Sequence, residues 1–433
     1  MQKSLSEIPI FDAVVVVIYL VLAFGIGIVA ARILRSNTHG EEGYFLAGRK
    51  MPGWLNGISY AVTAMNADVA PAYTGMAVVV GLSVSWFYMS RFGLMLMIVA
   101  LLFAIRWRQL NVFTGPEFFA LRFGGKGGGF IRIYQALFSV FLGMVPWIGA
   151  GMLGVHKIFG PIFGIEDKAV TLAIVLPVLL ICVWISGFAG VLVTDTLQTI
   201  VIIGANIMLM ILVLLRFDGP SGLAQAVRES HPTEGGEILS AFPVPGHEVF
   251  GPLVVMAWMI VPTIGAGGTV FLEGQRILSC KNIKEAAKVG IWGEIALFFM
   301  LLFLTLPVMG AIAQHPEYYH ADPGTREEVY GVMLNDYLPM GLLGIALAAL
   351  VSSVMSTIDS HLNYGAQSLL NDVYRPLLGA PSERKALWIG RLLMIFIMVC
   401  AIIVVYNSES LIGIAVVLTG LFGSTMPFGW AQW

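Results

Sequence analysis

Charge is scarce in this sequence. Only 12% of its 433 residues are Asp, Glu, Lys or Arg, about half the share in a soluble globular domain. With a net charge of −2 and no basic block, nothing favours nucleic acid as a partner. Cysteine is scarcer still. Cys182, Cys280 and Cys400 fall in different stretches without metal spacing, which excludes a disulfide framework and a zinc site. The single histidines His156 and His361 read as packing or boundary residues rather than ligands. The glycine run around Lys126 lacks the strand and helix that a phosphate cradle needs, so it reads as a flexible turn. With no nucleophile–base pair or metal constellation, the chain is not read as an enzyme.

What is abundant is apolar surface, at 58% of residues. About 20 apolar residues span a bilayer as a helix. Windows of that kind run over 11–34, 54–81, 84–106, 132–159, 168–187, 190–216, 250–272, 290–314, 339–371, 385–406 and 410–430. They are continuously apolar rather than alternating, so the fold expected is an all-α polytopic membrane protein with about eleven spans, not a barrel. The first window has no basic flank or cleavage site and reads as a retained span. The loops after the first, third, seventh and ninth spans, including Arg49, Arg122, Arg276 and Arg384, hold seventeen of the 24 Lys and Arg. The opposite loops are acidic, with Glu229, Glu234, Glu317 and Asp322. Basic loops lie on the cytoplasmic side, which places the N-terminus outside and the C-terminus inside the cell (inner) membrane. The polar loops 217–249 and 315–338 then read as extracytoplasmic lids or linkers.

Two spans look interrupted, one at 66–71 around Pro71, the other at 262–268 from Pro262 through Gly268. Such breaks free backbone carbonyls and are tolerated at membrane depth where they line a site. The breaks are five spans apart. Five helices followed by a copy must enter from the other side, so 11–34 is a leading helix, 54–216 a first repeat and 250–430 an inverted second repeat of one transmembrane domain, 1–433. Paired broken helices in inverted halves point to a midplane site for solute and ion, which makes Asn66, Asp68, Thr263, Gly265 and Ala266 the substrate region.

In the ninth span, Ser353, Ser356, Thr357 and Ser360 recur at i, i+3, i+4 and i+7 and share one helix face, with Asp359 beside it. Isolated hydroxyls in such helices usually bond back to the preceding turn. Four of them beside a carboxylate suit a cavity for a small hard cation, which takes oxygen ligands without the cost of burying much opposite charge. The other acids within spans are Asp68, Asp195 and Glu294, with Arg91 their only clear basic counterpart.

Several stretches resemble the sodium:solute symporter family. They are Tyr44 to Arg49 (YFLAGR), Thr114 to Phe123 (TGPEFFALRF), Gly274 to Leu278 (GQRIL) with the following KEAAK from Lys284, and Val351 to Tyr374 ending in NDVY. The resemblance covers nearly the whole chain. It implies a leucine-transporter-like core, and a symporter that imports a small polar organic solute with sodium as the coupling ion, by alternating access. It places Ser353, Ser356 and Thr357 on the principal sodium site, with carbonyls of Ala64 and Ala67. A one-residue shift, to Met65 and Asp68, follows if the extra residue before Gly75 moves the register. It also matches Asp195, Asp359 and Ser360, with Ser356, to a second sodium site known in some members. Thr263 and Ala266 stand where sugar-transporting members carry an asparagine and a gating tyrosine, and Phe298 falls near their lysine, so sugar specificity is not supported. Members generally continue beyond the point where this chain ends. The partners implied are the solute and the lipid bilayer, with a functional monomer. Two other readings are a proton-coupled transporter using Asp359 or Asp68, and a non-transporting membrane sensor or binding module.

Overall fold

Away from water a long apolar segment can satisfy its backbone only within itself, and helices do so. The computed structural model describes residues 10–35, 40–65, 69–88, 93–247, 250–264 and 270–411. Among them the regular structure is helical, apart from one parallel bridge between Met51 and Cys280. The helices that build the site are α1 (Ile10–Arg35), α2 (Gly53–Ala64), α3 (Val69–Val80), α4 (Gly125–Phe138), α5 (Val145–Phe163), α6 (Lys168–Arg216), α7 (Pro252–Ile264), α8 (Val270–Leu278), α9 (Ile283–Gln314), α10 (Val329–Tyr337), α11 (Leu342–Ser368) and α12 (Glu383–Tyr406).

Their starts are set by polar caps. Asp167 accepts from the Ala169 amide at the head of α6, and Asn282 from the Glu285 amide at the head of α9, each satisfying a donor the first helical turn leaves open. Glu285 in turn accepts from the Gly53 amide at 2.7 Å, so α9 caps α2. The cap of α11 comes from α1: Asp12 Oδ1 accepts from the amides of Gly341 and Gly344, both at 2.7 Å.

Six helices among the described residues are long and apolar enough to cross a membrane, and the bent pair Gly53–Ala64 and Val69–Val84 makes a seventh. The other expected spans, 84–106, 168–187, 250–272 and 410–430, run over residues left undescribed or whose side chains are. One of those boundaries can be followed. α6 is continuous from Lys168 to Arg216, a length of about 74 Å if straight. Yet Lys168 Nζ donates to the Ser408 carbonyl, the Val213 end lies beside Gly310 with Tyr337, and Phe188, Ala189 and Leu192 pack on Ala47, Met51 and Leu55 at the opposite face. The element therefore turns back near Phe188, and its halves follow the two separate apolar windows.

α11 is the axis of the molecule. The window Leu342–Leu378 is 89% buried, against 18% for Phe11–Val29 of α1. Val17, Val21 and Leu22 are thus exposed on the outside of the protein while α11 is enclosed by it. At the basic face the far-apart sequence motifs meet around its end. Thr114 and Arg132 both donate to Asp372 Oδ1 at 2.8 Å, the Gly115 amide donates to Tyr364 Oη at 3.0 Å, and Gln367 links the Phe113 carbonyl to Gln275. Arg49 donates to the carbonyls of Val112 and Leu278.

Candidate functional site

α2 stops at Met65, whose φ of −91° and ψ of 50° leave the helical region, and the chain resumes as α3 at 59° to its former course. A helix that stops inside protein leaves its last carbonyls without amide partners. α11 supplies them. Ser353 Oγ donates to the Met65 carbonyl, and Thr357 Oγ1 lies 3.0 Å from the Thr63 carbonyl and 3.2 Å from that of Ser353. Ser356 Oγ is 3.0 Å from Thr63 Oγ1. All five residues but Met65, at 4%, are 3% exposed or less.

The hydroxyl face expected of α11 therefore does face the broken helix. Its carbonyl partners among the described residues are Thr63 and Met65, so Met65 corresponds to the shifted register. Ala64 is half-buried at the end of α2, while Asn66, Ala67 and Asp68 lie outside the described residues. Of the second interruption, Thr263 bonds back to the Met259 carbonyl at 2.7 Å, as a hydroxyl within a helix does. Gly265 and Ala266 lie outside the described residues.

Of Asp195, Asp359 and Ser360, Asp195 and Ser360 meet through Arg276. Arg276, counted above with the loop cations, is in fact 2% exposed inside the protein. It donates to Ser360 Oγ at 2.9 Å, to Thr63 Oγ1 at 2.5 Å and to Ser59 Oγ at 3.1 Å, and pairs with Asp195 Oδ2 at 3.8 Å. Ser59 also donates to that carboxylate. Arg276 is thus a cation that meets the buried Asp195, where sequence pointed to Arg91, which lies outside the described residues. The signal was its place in an amphipathic helix, α8, flanked by the buried Gln275, Ile277 and Leu278. Glu294 is half-buried on α9, and its Oε2 has no partner among the described residues. His361 bonds to the Thr357 carbonyl at 2.9 Å and His156 to Thr171 at 3.0 Å, both consistent with packing roles.

A small cavity, with room for about one water, borders the junction and is lined by Met65, Ala70, Asn206, Tyr330, Leu350 and Ser353 among others. It touches the two residues that join the broken helix to α11. A carbonyl-and-hydroxyl junction at a helix break offers the hard oxygen donors that suit a small cation.

A match to the sodium:solute symporter family spans residues 44–430. The chain belongs to that family. It is a family of sodium-coupled transporters rather than enzymes. Among curated relatives the chain is similar to sodium/glucose cotransporter 4 of Mus musculus, 26% identical over 92% of this chain and 61% of the relative. The sodium/glucose cotransporter of Vibrio parahaemolyticus is 23% identical over 91% of this chain and 74% of the relative. The chain thus spans about three-fifths of the mammalian relatives it matches. A solved substrate-bound, outward-open Na+-coupled sialic acid symporter shares the fold, with a TM-score of 0.75 and 18% identity over 95% of this chain and 86% of that one.

Proposed function

We propose that this sodium:solute symporter chain imports a small polar organic solute with sodium, by alternating access around the α2–α11 junction. The observation that carries the reading is the meeting of Ser353 and Thr357 with the carbonyls of Met65 and Thr63, and of Ser356 with the Thr63 hydroxyl. Neutral hydroxyls and freed carbonyls are hard oxygen ligands, and they hold a monovalent cation without an excess of buried charge. Sodium here would tie the broken helix to α11 and favour the conformation that holds solute. Solute must then raise sodium affinity by the same factor.

The repeats 54–216 and 250–430 would move against each other as inverted halves. The N-terminus would face outside, the C-terminus the cytoplasm, and the unit would be a monomer in the cell membrane. Relatives are named for glucose and a solved neighbour binds sialic acid. A hexose is not the reading favoured for this chain, because Thr263 and Ala266 stand where sugar-transporting members carry an asparagine and a gating tyrosine. Uptake of a solute panel into proteoliposomes, with and without an inward sodium gradient, tests the proposal. Accumulation is expected only with the gradient, and accumulation indifferent to sodium would sink it.

A further inference from the structure

One side of α12 faces out of the protein along its whole length. Trp388, Leu392, Phe396, Val399, Ile403 and Tyr406, at i, i+4, i+8, i+11, i+15 and i+18, share a face, and each is at least 50% exposed. From Trp388 to Tyr406 that face runs about 27 Å at 1.5 Å per residue, close to the hydrocarbon thickness of about 30 Å. Tryptophan and tyrosine favour the two headgroup levels. Trp388 therefore marks the level on the basic side, and Tyr406 the level on the other. Phe141, between α4 and α5, packs edge-on against Phe396 with ring centroids 5.9 Å apart, and so walls one flank of the face.

Three cations gather at the Trp388 end. Arg384 and Lys385 are exposed one turn before it. Arg391 starts one turn on the hydrocarbon side, yet its guanidinium turns back over the Trp388 ring, 5.2 Å from the centroid. A long basic side chain does this when its stem lies among apolar groups and its head seeks the interface. Arg384 to Arg391 covers only about 10 Å of helix, so all three heads reach one headgroup level. None of them is paired with a carboxylate among the described residues. Glu383, the one acid on α12, is turned towards Gly40 instead.

Three unpaired cations at the edge of an apolar face call for an anion that carries its own apolar chain. The cytoplasmic leaflet supplies that chemistry in its anionic lipids. A zwitterionic headgroup suits the place less well, because it brings an ammonium to the same cations. We propose that the basic end of α12 is a docking site for an anionic phospholipid, whose phosphodiester is held by Arg384, Lys385 and Arg391 and whose acyl chain lies along Leu392 and Phe396 against Phe141. α12 packs directly on α11, where a Cβ built on Gly365 would stand 3.0 Å from Ile397 Cδ1. The lipid therefore steadies the helix that supports the ion helix. The inference rests on the membrane placement in the reading above, and not on sodium coupling.

Melting of the purified chain in neutral detergent, titrated with dioleoyl phosphatidylglycerol, reads the site. Phosphatidylglycerol should raise the melting temperature saturably, while phosphatidylcholine and inorganic phosphate should not. Each cation near the surface is worth about a factor of five. Arg391→Gln should raise the half-saturating phosphatidylglycerol by that factor, and Arg384→Gln with Lys385→Gln by about 25-fold. Arg391→Lys, which keeps the charge, should recover most of the affinity. Lys284→Gln, which removes an exposed cation from the head of α9, should leave it unchanged. Equal stabilisation by phosphatidylcholine would reduce the face to an ordinary lipid contact, and stabilisation by inorganic phosphate would make it an ion site; either overturns the proposal. It also falls if every variant, Lys284→Gln included, weakens the response equally, because the selectivity then comes from the overall field. Sodium-driven uptake is read by the separate gradient assay, so either reading can fail alone.

Discussion

The Thr357 hydroxyl lies 3.0 Å from the carbonyl oxygen of Thr63, across the end of a helix that has just stopped. The hydroxyl and any cation there compete for the lone pairs of that carbonyl. Replacing Thr357 or Ser356 with Ala should remove a ligand oxygen that water in a closed site cannot easily replace. The cost should be about 1–3 kcal/mol, or roughly ten- to hundredfold in apparent sodium affinity. On the opposite face Val354 and Ile358 are fully buried in the apolar core. Val354→Ala and Ile358→Ala should lower thermal stability and leave sodium activation nearly unchanged. Sodium titrations of uptake for all four variants check this, and equal losses on both faces would show that the hydroxyls are not ligands.

Arg276 bears on stability as much as on ions. It is enclosed with Asp195, Ser59, Thr63 and Ser360. Breaking a buried pair from one side strands the other charge, which costs about 3–5 kcal/mol, whereas removing both charges costs far less. Arg276→Gln should therefore destabilise strongly, and Arg276→Gln with Asp195→Asn should recover much of the loss. Thermal melts of both single variants and the double variant measure the coupling. Additive losses would contradict a direct pairing.

How much of this was legible in the sequence depended on which physical rule applied. Helical periodicity put Ser353, Ser356, Thr357 and Ser360 on one face, and the structure presents that face to α2. The partner carbonyls were harder to read, because which oxygens are freed depends on where α2 stops, and Met65 rather than Ala64 leaves the helical region. Arg276 was misread because counting cations by loop treats each as hydrated, while this one enters the protein on α8. The family resemblance grouped Asp195, Asp359 and Ser360, and in the structure Arg276 bridges two of them, Asp195 and Ser360. In α6 the two apolar windows separated by hydropathy are the two halves of one element, Lys168–Arg216.

The acidic face contains a pH-sensitive tie. His315, just past α9, sits 2.7 Å from Asp336 on α10 and 3.2 Å from Glu317. The hydrogen bond to Asp336 is the largest influence and raises the His315 pKa above its ordinary value, with Glu317 adding to it and partial burial opposing. A raised histidine pKa stabilises the fold fully below the unfolded value of about 6.5, and the contribution disappears as pH rises through the folded value. The pair is partly solvent-exposed, so its worth is at most about 1 kcal/mol. Melting temperatures of the parent should fall relative to His315→Ala as pH is lowered only if this sign is wrong; the expected result is that the parent's advantage grows from pH 8 to pH 6.

Helix α2 can hold the junction only because it lies unusually close to α9. A Cβ built on Gly57 would stand 2.6 Å from the Val289 carbonyl oxygen and 2.7 Å from Trp292 Cβ, and the first of these is backbone that no rotamer change can move. Gly57→Ala must therefore push the helices apart, an overpacking that costs about 1–3 kcal/mol. It should also shift Thr63, two turns along α2, and so weaken sodium activation without touching a ligand. Gly129 on α4 is the control, because a Cβ there meets nothing within 4 Å. Gly129→Ala should be neutral or gain up to about 1 kcal/mol from helix propensity. Thermal melts with sodium-dependent uptake on the two variants check the argument. If Gly57→Ala melted like the parent and kept its sodium response, the close contact of α2 with α9 could not be what positions the site.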